Sequence, residues 1–263
     1  MKKTTLAAKD SDLLEQLIIR YGKVVTANQI EAKAKHIWDY QQTHNRIQQL
    51  VKNGWLIRIK RGVYLIADLS SRGFISVSPY VIASLLVEDS YVSFEAALAY
   101  RGMFDQFTGQ FTSVSVKQYK VKDLDSIQYR FVKTQQKMFS GWEEVKIENM
   151  SAKIAFAEKA LVDMIHFRKG KYVVDLVIEK LKDHQKDLDA ARLIQCTRLA
   201  SQKTVKIFGF VFDLLGMNSD PFMGLISNNR STHWISRNDK TFNARWRLYY
   251  DAYFEKYQAQ KED

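Results

Sequence analysis

The chain has 263 residues, with 40 Lys+Arg against 29 Asp+Glu and a formal net charge of +11. An apolar fraction of 46% with 11 Gly and 2 Pro supports a packed core and excludes wholesale disorder. The single cysteine, Cys196, excludes a disulfide framework and a Cys-rich zinc site.

No run approaches the ~20 apolar residues that cross a bilayer. The basic start Met1-Lys2-Lys3-Thr4-Thr5 is not followed by the apolar stretch of a signal peptide. The expectation is a cytoplasmic protein with polyanionic partners and no membrane. The charge is uneven: residues 1–70 carry net +6 and the remainder +5. A polar stretch, Asp68-Leu69-Ser70-Ser71-Arg72-Gly73, marks the expected boundary. That gives a first domain over 1–68 and a second over 69–263.

In the first domain, Leu13, Leu14, Leu17 and Ile18 recur on one helical face, with Asp10 and Ser11 as expected caps and a stop near Gly22. Thr26 followed by Gln29 predicts a capping box and a second helix. A third helix is predicted from about Asp39 to Asn53, with Ile47, Leu50 and Val51 inward and Gly54 in the left-handed position after its end. Residues 55–60, a turn at Arg61-Gly62 and Val63-Tyr64-Leu65-Ile66 predict a hairpin.

Helix, helix, helix and hairpin is the order of a winged helix-turn-helix, in which a recognition helix offers hydrogen-bonding side chains to base edges. The outward set is Gln41, Gln42, His44, Asn45, Arg46, Gln48 and Gln49. Of these, Gln41, Gln42, His44, Asn45 and Arg46 are the expected base contacts. Lys52, Arg58, Lys60 and Arg61 are the expected phosphate contacts. A merely solvated polar helix face is the competing reading, and Tyr40 and Thr43 stay unassigned.

The second domain reads as mixed α/β to about residue 170 and mainly helical after it, so the whole chain is α+β. Ser78-Pro79 opens a helix, Tyr91-Val92 is a strand, and Ser93 caps a helix ending at Gly102. Residues 111–116, 128–132 and 145–147 are strand-like, and 157–167, 172–184, 188–199 and 205–215 helical.

Three segments resemble AbiEi-type antitoxins of abortive-infection systems. Arg58-Ile59-Lys60-Arg61-Gly62-Val63-Tyr64 is similar to the end of that family's winged helix. Residues 91–103, with Ser93, Ala97-Leu98 and Gly102, are similar to its strand, Ser, helix, Ala-Leu, Gly segment. Ala157-Glu158-Lys159-Ala160-Leu161-Val162-Asp163 is similar to its third marker. The resemblance covers roughly residues 10–170. It implies an autorepressor and antitoxin of a type IV toxin–antitoxin pair. Such a protein binds inverted repeats in its own promoter, cooperatively and with more than one copy, though monomeric in solution. It counters a nucleotidyltransferase-like toxin without a stable complex.

No catalytic or cofactor motif stands out, so no enzyme activity, metal or cofactor is expected. The five histidines lack zinc-ligand spacing, and Cys196 reads as buried and inert. Two alternatives stay open. Glu95, Glu158 and Asp163 converging on a metal would make a DNA-targeted nuclease. A basic, aromatic stretch with Arg230, His233, Trp234, Arg237, Lys240, Arg245, Trp246, Arg247, Tyr249, Tyr250 and Tyr253 would make an RNA-binding neutraliser. Against the latter stands a helix that packs its aromatics inward, as Tyr249, Tyr253 and Tyr257 at i, i+4, i+8 suggest.

Overall fold

Helix α1 spans Ala8–Tyr21 and buries Leu13, Leu14 and Leu17 along one face, with Ile18 packed beside them. The computed structural model describes residues 6–68, 75–106, 109–226 and 229–258. The helix begins before the expected caps. Ala7 takes the cap position without a side-chain bond, and Asp10 lies within the first turn. The carboxylate of Asp10 is committed to Arg46 rather than to helix amides.

A short strand, β1 (Val24–Thr26), follows; three residues carry too little alternation to be read from sequence. Thr26 and Gln29 form the expected capping box at the start of α2 (Ala27–Ala34). Helix α3 (Tyr40–Lys52) has a second capping box, between Asp39 and Gln42. Its end is a Schellman turn. Gly54 sits at φ +81°, Gly54 N donates to Val51 O at 3.1 Å, and Trp55 N donates to Leu50 O at 2.9 Å.

Strands β2 (Leu56–Lys60) and β3 (Val63–Ile66) form the expected hairpin around Arg61-Gly62. The sheet order is β1-β3-β2, because β1 adds antiparallel to the other side of β3. Helix α4 (Pro79–Leu86) starts at Ser78-Pro79 as expected, although Ser78 makes no side-chain cap bond. One core unites Leu13, Leu17, Val25, Ile30, Ile47, Leu50 and Leu56, with Val51, Trp55 and Tyr64 half-buried around it. The stretch from Leu69 to Gly73, expected as the boundary, lies outside the described residues. Contacts divide the chain into two units. The first runs to Glu88 and takes in residues 123–127 and 146–151, and the second holds the remainder.

The chain beyond α4 is α+β, with a six-stranded sheet. In chain order its elements are β4 (Ser90–Val92), α5 (Phe94–Tyr100), β5 (Gln110–Ser115), β6 (Lys122–Leu124), β7 (Ile127–Lys133), β8 (Trp142–Ile147) and β9 (Met150–Ala155). The sheet order is β6-β7-β5-β4-β9-β8. Strand β4 pairs antiparallel with β5 and parallel with β9, and β5 pairs parallel with β7.

Helices α6 (Ala157–Phe167), α7 (Lys171–Asp183), α8 (Ala190–Arg198), α9 (Gln202–Leu214) and α10 (Asp220–Ile226) follow. The stretch considered as a possible helix is instead three short strands: β10 (His233–Trp234), β11 (Thr241–Asn243) and β12 (Leu248–Tyr250). A 3-10 turn (Ala252–Tyr257) then separates Tyr253 and Tyr257 from Tyr249, so the three tyrosines share no helix face.

This small sheet is anchored through Trp246, fully buried, whose Nε1 donates to Asp213 Oδ2 at 2.6 Å. Gly209 of α9 lies directly under the indole; a Cβ there would sit 2.2 Å from a ring carbon, so glycine is what permits the approach.

Candidate nucleic-acid interface

Helix α3 separates its residues cleanly. Thr43, Ile47 and Leu50 are buried, while Gln41, Gln42, His44, Asn45, Gln48, Gln49 and Lys52 are exposed. Thr43 is resolved as a core position, its hydroxyl donating to Asp39 O at 2.8 Å. Tyr40 goes the other way and is 72% exposed beside the outward residues, a neighbour that its sequence position alone does not assign.

The exposed face is cross-linked along the helix. Gln41 Nε2 donates to Asn45 Oδ1 at 3.3 Å, and Gln48 Nε2 lies 2.9 Å from His44 Nε2. These i, i+4 pairs hold the polar ends in a row, which lowers the side-chain entropy lost when they engage a partner. Gln42 differs from its neighbours, since its Oε1 accepts from Asp39 N at 3.4 Å as part of the cap.

Arg46 is half-buried and already engaged. Nε donates to Asp10 Oδ1 at 2.9 Å, NH1 donates to Gln49 Oε1 at 2.8 Å, and the guanidinium lies over the Trp38 ring at 5.7 Å. Its expected base contact therefore competes with a bond that ties α3 to α1. A groove beside this residue is lined by Trp38, Gln42, Asn45, Arg46, Gln48, Gln49 and Lys52.

On the hairpin, Arg58 and Arg61 are exposed, and Gly62 at φ +73° makes the turn that presents Arg61. Lys60 is half-buried and pairs with Glu88 at 2.6 Å. A bulge between Arg58 and Lys60 lets Ile59 turn into the core.

Residues 12–67 match the family described as "Transcriptional regulator, AbiEi antitoxin". The N-terminal segment is AbiEi-like. That match contains α3 and the hairpin and ends before α4. No curated protein matches the chain. Among solved structures, the fold resembles one titled "Crystal structure of RV2827C protein from Mycobacterium tuberculosis", at 13% identity and TM-score 0.65 over 93% of this chain and 92% of that one. The AbiEi-like helix face thus sits within a chain whose overall fold has a solved precedent.

Beyond the AbiEi-like segment, the three carboxylates considered for a metal site have separate partners. Glu95 pairs with Arg168. Glu158 accepts from Asp189 N at 2.7 Å and from Arg192 at 3.5 Å. Asp163 is fully buried, pairs with Lys159, and accepts from Ser93 Oγ at 2.7 Å and Tyr91 OH at 3.1 Å. Ser93 thus stands at the helix cap position but gives its hydroxyl to Asp163 instead. Burial, then the charge of Asp163, holds the Tyr91 phenol well above its ordinary range. Among the described residues no group of three His, Cys, Asp or Glu is placed to hold a metal. Burial pushes the Cys196 thiol up to about 11, which leaves little thiolate at neutral pH. No helix among the described residues is long and apolar enough to cross a membrane.

Of the second candidate patch, Arg245 is committed to Asp213 at 3.2 Å and Asp220 at 2.9 Å. Arg230, Arg237, Lys240 and Arg247 are exposed and form no ion pair among the described residues.

Proposed function

We propose that the first unit is a winged helix-turn-helix whose α3 enters the major groove of duplex DNA while β2 and β3 act as the wing. In this reading Gln41, His44, Asn45 and, once exchanged from Asp10, Arg46 meet base edges, with Gln42 steadying the helix start. Lys52, Arg58 and Arg61 meet phosphates, joined by Lys60 when it leaves Glu88. The observation that carries the reading is the division of α3: core on one side, and on the other an exposed row of amides and an imidazole that ends at Lys52. Amides pair bidentately with adenine and guanidinium with guanine, which a plain solvated face of Lys and Glu does not provide.

The AbiEi match over the same segment supports a transcriptional regulator and antitoxin. We extend this to a cytoplasmic autorepressor of a type IV toxin–antitoxin pair that serves in phage defence. It is monomeric in solution and binds promoter inverted repeats cooperatively. It opposes a nucleotidyltransferase-like toxin without a stable complex, and it acts by binding rather than catalysis. The separate commitments of Glu95, Glu158 and Asp163 favour this over the nuclease alternative.

Fluorescence anisotropy with the duplex upstream of its own gene tests the proposal. Saturable, sigmoidal binding that outlasts competitor random DNA is the expected result. Binding no tighter than to random duplex overturns it.

A further inference from the structure

The three-stranded sheet of residues 233–250 has one face in the core and the other open. Inward lie Leu248, Tyr250 and, next to them, Ile235 and Trp246, all buried. Outward, register places Trp234 opposite Tyr249 and Tyr249 opposite Phe242, so the three rings form one row across β10, β12 and β11. Trp234 stacks on Tyr249 with centroids 5.0 Å apart and planes at 9°, and Phe242 leans on Tyr249 at 4.9 Å. Trp234 is 45% exposed and Phe242 44% exposed. Strand β10 lies at the edge of this sheet, and among the described residues no further strand pairs beyond Trp234.

Cations bracket the row. Arg247 precedes β12 where it neighbours the start of β10, and His233 N donates to Arg247 O at 3.1 Å there. Arg230 precedes that same end of β10. Arg237 and Lys240 lie at the other end, between β10 and β11. The single acid between residues 230 and 250, Asp239, turns its carboxylate back to the backbone N–H of Ser236. An exposed aromatic stack with cations at both ends and its one acid held by a backbone amide suits a ligand that is flat, aromatic and anionic along its length. A single-stranded nucleic acid has all three properties, since every unpaired base has a π-face and every linkage a charge. Duplex DNA hides those faces in its own stack, and a purely apolar protein partner would leave the cations unmatched.

We propose that this sheet is a second binding surface, for single-stranded nucleic acid. An unpaired base continues the stack beyond Trp234, and Arg230, Arg247, Arg237 and Lys240 follow the phosphates. The surface is independent of α3, so it stands or falls separately from duplex recognition.

The test uses the full chain and a fluorescein-labelled single-stranded U-rich 12-mer RNA, with the matching single-stranded DNA and the annealed duplex as further arms. The single strand is expected to bind, and unlabelled single strand to displace it better than the duplex. Trp234→Ala is expected to weaken it about tenfold, with Trp234→Phe retaining most of the affinity and upstream-promoter duplex binding unchanged. Should Trp234→Ala lower the melting temperature, the charge reversals Arg247→Glu and Lys240→Glu serve in its place, with the same expected loss. Binding by RNA alone, or by both strands, identifies the source of the ligand and supports the proposal either way. Absence of single-strand binding overturns it, as does equal affinity for folded Trp234→Ala and wild type.

Discussion

Arg46 of α3 donates from Nε to Oδ1 of Asp10 in α1 at 2.9 Å. The pair joins the helix proposed to read DNA to the first helix of its own fold. Its Asp10 side chain is 9% exposed and its Arg46 side chain 34% exposed, so it lies between a surface pair and a buried one.

That position gives Arg46 two roles, and they separate in a double-mutant cycle. Asp10→Ala is expected to cost about 1–2 kcal/mol in urea denaturation, with the m-value unchanged. Arg46→Ala is expected to cost a similar amount, and the double variant less than the sum. Additive losses would mean that the pair does not couple α1 to α3.

Salt dependence separates the hairpin cations. Arg58→Ala and Arg61→Ala are each expected to flatten the log–log plot of duplex affinity against salt by about one unit. Lys60→Ala is expected to change it less, since Glu88 already holds its ammonium. Glu88→Gln then frees Lys60 and steepens the slope. A slope unmoved by Glu88→Gln would show that Lys60 does not reach phosphate.

The buried cluster around Asp163 predicts an asymmetric stability pattern. Asp163→Asn leaves the Lys159 ammonium buried without a counter-charge and is expected to cost about 3–5 kcal/mol. Lys159→Met combined with Asp163→Asn removes both charges while the amide oxygen still accepts from Ser93 and Tyr91. The double variant is expected to melt higher than Asp163→Asn alone, read by thermal denaturation; a lower melting point contradicts the account.

Acid should weaken the second unit. Burial lowers the His166 pKa, and its Nδ1 accepts from Ser201 N at 3.4 Å as a neutral ring. Protonation is thus easier in the unfolded chain. The stabilisation is present above the unfolded value of about 6.5 and is lost as pH falls through the lowered native value. His166→Gln is expected to flatten the decline of melting temperature between about pH 7 and pH 5.5. An equally steep decline in that variant would assign the effect elsewhere.

Long periodic segments were legible from sequence for a physical reason. Leu13, Leu14 and Leu17, or Ile47 and Leu50, must lie on one face to be buried, and Thr26 with Gln29 can satisfy each other only at a helix start. Shorter or weaker signals were not. Strand β1 spans three residues, and β9 contains Ala152, Lys153 and Ala155, weak strand formers, although Ala152 and Ile154 are both buried. In the candidate site, exposure of Gln41, His44 and Asn45 followed from helical geometry, whereas the engagement of Arg46 by Asp10 spans 36 positions and leaves no local mark. The strands around Trp234, Phe242 and Tyr249 are two or three residues long, and their shared outward face emerges only from pairing.

The most direct test of the central claim compares Gln41→Ala and Asn45→Ala with wild type on the upstream promoter duplex and on random duplex of equal length. Both side chains are exposed and free of the Arg46 tether, so folding should be preserved. About a tenfold or larger loss on the promoter duplex is expected for each variant, with random-duplex affinity unchanged. Equal losses on the two duplexes, or none on either, would contradict it.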